Sequence, residues 1–373
     1  MTTDPPATDL RAPSSRTLLR TLSAAAFVAL ACASASAQFL PPGAERWTFL
    51  GAGGVPHYVM EVGEARAPGD TVVVVHGGFG AEHSYLIDPL LPLADRYRFV
   101  FYDQRGSLRS AVPPEADSLL AFPAFVEDLE ALRLQLGTDR LTLLAHSMGA
   151  LVSYGYLDRY PDRVRGVALV GPSPPTLAGS FGEPPDDPRL VPPEDSARVR
   201  ALFRRHAEET ERRLEAALAR ESFPDPDTLS PEALRTTPGA QKAAFNRYRI
   251  ATAAYSTCRP ERWRELRGVG RAFFSQRVAD AVFSDANLPA LEDAVDRMLP
   301  ALEAYGGPVA IVQGDCDYLD PGATIAGRLA RRVPGARVRV LPDAGHLPWI
   351  DAPEATAEAL AWALGYAAGD SRE

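Results

Sequence analysis

The sequence predicts an α/β protein, in which a mostly parallel central sheet carries helices on both faces and is interrupted by a helical insertion. Three observations predict this class. Short apolar runs recur from residue 57 onward: YVMEV, TVVVVHGG (71–78), FVFYDQRG (99–106), LTLLAHS (141–147) and GVALVGPS (166–173). They are apolar at consecutive positions, as strands buried on both faces should be. Helical patterns lie between them. Finally, the strand pattern stops at Gly171 and resumes only at GPVAIVQGD (307–315).

Taken in order, the first 37 residues stand apart. Arg11, Arg16 and Arg20 precede an apolar run from Leu22 to Ala31, followed by Ala35-Ser36-Ala37. This is the layout of a secretory leader, with cleavage after Ala37 and export as the expectation. The run is too short for a stable span, which takes roughly 20 residues. Ala29-Leu30-Ala31-Cys32 also resembles a bacterial lipobox, giving lipid anchoring through Cys32 as the alternative.

The first part of the sheet domain is expected over 38–171. Within it, FPAFVEDLEALRLQLG repeats Phe125, Leu129, Leu132 and Leu136 at helical spacing and stops at Gly137. Ala150 to Tyr160 is a second helix, ended by Pro161. The insertion is expected over 172–304. It opens with the proline-dense GPSPPTLAGSFGEPPDDPRLVPPEDS and continues as a long amphipathic helix with Val199, Phe203, His206, Leu214, Ala217 and Leu218 near one face. The sheet domain then resumes over 305–373, with ARVRVLP (336–342) as a strand and EATAEALAWALGYA as the last helix.

Composition narrows the function. The 373 residues are 46% hydrophobic and carry a net charge of −9, with no basic stripe for phosphates, so nucleic acid is not an expected partner. After removal of the leader only Cys258 and Cys316 remain, too few for a disulfide framework but enough for one bridge in an oxidising compartment. Their pairing and the number of subunits are left open by the sequence. The histidines at 57, 76, 83, 146, 206 and 346 show no paired metal spacing, and no metal or cofactor is expected.

The chemistry is concentrated at strand ends. In LTLLAHSMGA a strand runs into a sharp turn that lifts Ser147 above the sheet rim, with the small residues Ala145 and Gly149 two positions either side. A serine hydroxyl needs a base, and the base needs a carboxylate that fixes its tautomer. Asp315, Asp317 and Asp320 follow one late strand, and His346 follows the next. His76-Gly77-Gly78-Phe79-Gly80 follows an early strand, and its glycines let backbone N–H groups approach a developing oxyanion. Gly78 and Met148 are the expected donors, while His76 is expected to order its loop. The glycine-rich LGAGGVP (50–56) lacks the lysine and helix of a phosphate loop.

Together HGGFGAEHSYL, YDQRGSLRS, AHSMG, QGDCDYLDP and DAGHLPWIDAPE resemble the α/β-hydrolase superfamily, and the first two resemble its proline iminopeptidase branch. The resemblance covers roughly 45–172 and 305–366. It implies the α/β-hydrolase fold, with Ser147 as nucleophile, His346 as base and, by the spacing from Gly314, Asp317 as acid, Asp315 being the alternative. It also implies a helical cap at 172–304 and a short peptide with a free N-terminal proline or small residue as substrate. Phe79 stands where the family has proline, beside the oxyanion loop, and His83 lies in the matched segment; both are expected to line the pocket. In QRVADAVF (276–283), Ala279 stands where such aminopeptidases hold an acid for the substrate amine, and none of Glu208, Glu209, Glu215 or Glu221 is singled out to replace it. An esterase or lactonase using the same triad is the alternative enzyme, and a non-catalytic small-molecule sensor on the same scaffold is the alternative of another class.

Overall fold

The computed structural model describes residues 40–220, 228–266 and 274–369. The predicted leader, its cleavage site and Cys32 lie outside these residues. No helix among those described is long and apolar enough to cross a membrane.

Eight strands form one sheet: β1 (Glu45–Leu50), β2 (Pro56–Val62), β3 (Thr71–Val75), β4 (Arg98–Tyr102), β5 (Leu141–His146), β6 (Val164–Val170), β7 (Val309–Gly314) and β8 (Ala336–Leu341). Their spatial order is β1-β2-β4-β3-β5-β6-β7-β8. The pairs β1–β2 and β2–β4 are antiparallel and the remainder parallel. Val72 to Val75 are fully buried, and all of β5 is buried. Removing such side chains from water contributes roughly 1.5–3 kcal/mol each, which is why β3 and β5 hold no alternation.

Apart from two single-turn helices at Ile87–Leu90 and Pro348–Asp351, the α-helices among the described residues are α1 (Phe122–Gln135), α2 (Gly149–Arg159), α3 (Pro193–Ala219), α4 (Pro231–Thr236), α5 (Ala240–Ser256), α6 (Gln276–Val282), α7 (Leu288–Tyr305), α8 (Thr324–Arg332) and α9 (Pro353–Ala368). α2 lies on β3, β5 and β6 and packs against α1 and α7, whereas α9 lies on β5, β6 and β7. Every helix from α3 to α7 falls between β6 and β7 in the chain. Residues 228–248, holding α4 and the first part of α5, form a compact unit of their own. The sheet, its flanking helices and the other described parts of the insertion form a second unit.

The strand order places a switch point at β3. The chain leaves β3 toward β4 on one side and returns to β5 on the other, so the loops after β3 and β5 part and leave a crevice at the carboxyl ends of the strands. These are the loops that hold Gly78 and Ser147.

Candidate active site

Ser147 follows β5 at once and has φ of +55°, a left-handed conformation that costs a non-glycine residue roughly 1–2 kcal/mol. Close packing enforces it. A Cβ at Gly149 would lie 2.3 Å from the Val75 carbonyl oxygen, and one at Gly77 would lie 2.5 Å from Ser147 Cβ. The turn therefore needs glycine at these two places, where the elbow meets the end of β3. Ala145 pairs with Val75 and Leu169 inside the sheet, an ordinary strand position that tolerates its methyl group.

Of the three aspartates after β7, Asp317 faces His346. His346 Nδ1 lies 2.9 Å and 3.1 Å from the two carboxylate oxygens of Asp317. Asp317 is fully buried and accepts further bonds from Gln313 Nε2 at 3.0 Å and the Leu319 N–H at 2.9 Å. Asp320 instead caps the start of α8, accepting from the Ile325 and Ala326 N–H groups at 2.7 Å. Burial raises the pKa of the Asp320 carboxyl to about 7, the Asp317 charge adding to the effect. The backbone of Asp315 bonds Leu341 and Gly322, while its side-chain Oδ1 has no hydrogen-bond partner among the described residues. Gly171, at the end of β6, leaves room for the Asp317–His346 pair: a Cβ there would sit 2.9 Å from Asp317 Oδ2 and 3.1 Å from His346 Nδ1.

Three loops are tied together through His146. The Gly77 N–H donates to Tyr85 Oη at 2.7 Å, Tyr85 Oη lies 2.8 Å from His146 Nδ1, and His146 Nε2 lies 2.9 Å from the His346 carbonyl oxygen. With a carbonyl at one end, His146 carries its proton on Nε2 and accepts the tyrosine proton on Nδ1. Burial, and then the neighbouring His346, hold its pKa well below the usual histidine range. The residue before Ser147 thus fixes where the loop carrying His346 begins.

The oxyanion loop is ordered from the other side. His76 Nε2 accepts the Gln104 N–H at 3.0 Å, and Gln104 Nε2 donates to the His76 carbonyl at 2.6 Å. Burial lowers the His76 pKa to about 4, so it stays a neutral brace. The Gly77 N–H is occupied by Tyr85, whereas among the described residues neither the Gly78 nor the Met148 N–H is hydrogen-bonded within the chain. These two are the groups predicted to meet an oxyanion.

Phe79 and His83, expected to line the pocket, are each only 2% exposed. Phe79 is enclosed by Phe122, Phe125 and Phe283, an aromatic cluster that takes up the apolar side chain in place of proline. His83 Nδ1 is 2.7 Å from Asp103 Oδ1 and its ring stacks on Tyr58. The Arg105 guanidinium is spent on Asp128, with which it forms two hydrogen bonds at 2.7 and 2.6 Å. The resembling loops are therefore knit by internal contacts, and the insertion reaches the loop after β3. Ser275 donates its N–H to the Gly80 carbonyl at 2.8 Å, and the partly exposed ring of Phe274 lies 3.8 Å from where a Gly78 Cβ would be. Sequence reasoning missed Phe274, Gly171 and Tyr85. A glycine closing a buried strand was the available signal for Gly171. A separate arginine-lined cleft of about 460 Å³, bounded by Arg189, Asp195, Arg198 and Arg328, contains none of the predicted site residues.

The family model described as alpha/beta hydrolase fold matches residues 70–353. The chain belongs to the α/β-hydrolase family. Among curated relatives it is 33% identical over 119 residues to a proline iminopeptidase of Lactobacillus helveticus, covering 31% of this chain and 40% of that protein. It is 38% identical over 103 residues to the proline iminopeptidase of Saccharolobus solfataricus, covering 26% and 32%. The alignment thus spans about two-fifths of these relatives or less. The crystal structure of a proline iminopeptidase-related protein from Thermus thermophilus superposes with a TM-score of 0.57 at 29% identity, covering 87% of this chain and 99% of that one. In the matched segments this α/β-hydrolase is similar to proline iminopeptidases.

Proposed function

We propose that the protein is an exported serine hydrolase working through an acyl-enzyme, and that it removes an N-terminal residue from short peptides. The observation that carries the reading is the Asp317–His346 pair held against the strained Ser147 elbow at the sheet's switch point. In the proposed reaction the Ser147 hydroxyl attacks the scissile carbonyl carbon and its proton passes to His346 Nε2. Asp317 keeps the other imidazole proton on Nδ1 and stabilises the imidazolium. The carbonyl oxygen, now an oxyanion, takes hydrogen bonds from the Gly78 and Met148 N–H groups; one such donor is worth roughly 10²–10³ in turnover. Collapse expels the amine, which takes the proton from His346. Water then repeats the sequence on the ester and frees Ser147.

The helical insertion serves as the cap, with Phe274 as an apolar wall above the oxyanion loop. His83 and Phe79 act as supports of that loop. Export is supported by the leader pattern and by the disulfide between Cys258 and Cys316, since such bonds persist in oxidising compartments. One observation favours the esterase alternative: Ala279 supplies no carboxylate for a substrate amine.

A fluorophosphonate probe should label the wild-type chain and leave Ser147→Ala unlabelled. Equal labelling of both, or none of either, would refute the nucleophile and favour a sensor. Proline-arylamide and short acyl esters assayed in parallel then separate the enzymes, ester turnover without amide turnover defeating the peptidase reading.

A further inference from the structure

The last residue of α5, Ser256, and the two that follow it reach both loops that carry the acid and the base. Cys258 is joined by a disulfide to Cys316, the residue before Asp317. The Ser256 carbonyl accepts the N–H of Leu347, the residue after His346, at 2.8 Å. Asp351 Oδ2 accepts two N–H groups at once, from Cys258 at 2.8 Å and from Gly345, the residue before His346, at 2.9 Å. The approach is tight: a Cβ at Gly345 would lie 2.7 Å from Thr257 Cα and 2.8 Å from the Ser256 carbonyl oxygen. The two loops also meet directly, through the Cys316 N–H and the Ala344 carbonyl at 2.9 Å.

We infer that Ser256–Thr257–Cys258 is a positioning brace for the acid–base pair, fastened covalently at Cys316 and by hydrogen bonds at Asp351. The inference rests on the triad proposed above. No residue of the brace touches the Asp317–His346 hydrogen bond; each acts on the backbone one residue away from it. One insertion segment thereby sets the spacing of two loops that come from different strands. Opening the disulfide takes two electrons and two protons from a dithiol, which leaves as its own cyclic disulfide while Cys258 and Cys316 become thiols. Asp317 keeps its bonds to Gln313 and Leu319, so the expected result is a partial, reversible loss.

The test compares the mature full chain before reduction with dithiothreitol, after it, and after reoxidation, alongside Cys316→Ser, Asp351→Ala and Asp351→Asn. The readouts are kcat and KM on the best amide or ester substrate, and the rate of fluorophosphonate labelling. Reduction should lower kcat and labelling about 10-fold with KM within about 2-fold, because displaced catalytic groups slow the chemistry more than binding. Reoxidation should restore both. Cys316→Ser should start low and ignore dithiothreitol, and Asp351→Asn, which keeps an acceptor oxygen, should recover most of what Asp351→Ala loses. Unchanged kcat on reduction, an equal response from Cys316→Ser, or a rise in KM alone would overturn the brace. If the wild type does not label at all, the hydrolase reading fails separately. The brace is then judged by amide hydrogen exchange at Gly345–Leu347 and Asp317–Leu319, which should quicken on reduction; no change there would overturn it.

Discussion

Gly171→Ala tests the proposed acid–base pair without removing either of its groups. Gly171 has φ of +48°, and a Cβ would enter within 2.9 Å of Asp317 Oδ2 and 3.1 Å of His346 Nδ1. Two effects follow and can be separated. The left-handed backbone costs alanine roughly 1–2 kcal/mol of stability wherever it occurs. Gly306, just past α7, supplies the control, because it has φ of +67° with nothing within 4 Å of its would-be Cβ. Gly306→Ala should therefore lose the same stability and keep full activity. At Gly171 the two contacts are shorter than van der Waals separation, and both neighbours are buried, so the carboxylate and the imidazole must shift by a few tenths of an ångström. Misplacement on that scale should lower kcat about 10- to 100-fold, or about 1.4–2.8 kcal/mol of barrier, with KM little changed. Urea unfolding and steady-state kinetics on both variants measure the two effects. Equal activity in Gly171→Ala and Gly306→Ala would show that the pair beside Gly171 does not serve the reaction.

The remaining expectations concern the acid and the pH. Asp317→Asn should lower kcat about 10⁴-fold, since the amide favours the wrong imidazole tautomer, whereas Asp315→Asn should leave it nearly unchanged; the reverse pattern in kcat would reassign the acid. His76, lowered to about 4 by burial, and His146, also lowered by burial, bind protons in the unfolded chain before they do so in the folded one. Their contribution to stability should therefore be full above about 6.5 and fall as pH drops toward 4, His76 alone contributing at most about 3 kcal/mol. Asp320, raised to about 7, works in the opposite sense: its contribution is present at low pH and lost as pH rises through 7. Asp320→Asn should thus steepen the acid loss in urea titrations between pH 7 and 4, and a shallower slope would count against this assignment.

The parts of the site legible in the sequence were those set by local chemistry. A fully buried valine run ending in His76-Gly77-Gly78, and a leucine run ending in Ser147, announce strands that stop at turns only small residues can make. Long-range pairing was less legible. Three aspartates share one loop, and only the backbone path decides that Asp320 caps a helix while Asp317 turns toward His346. The disulfide, the Tyr85–His146 link and the space left by Gly171 join residues far apart in sequence, each governed by tertiary approach rather than periodicity. Ala145 reads as a weakness in the elbow motif until the fold puts the crowding at Gly77 and Gly149. Phe79 and His83 sit inside a matched segment, yet motif position says nothing about which way a side chain turns, and both turn into the protein.

The left-handed backbone at Ser147 sets function against durability. Ser147→Gly would relax that conformation and should give a protein harder to melt and unable to react. Any search that ranks variants of this chain by heat resistance alone will drift toward erasing the proposed nucleophile, so thermal screening here needs a turnover filter beside it.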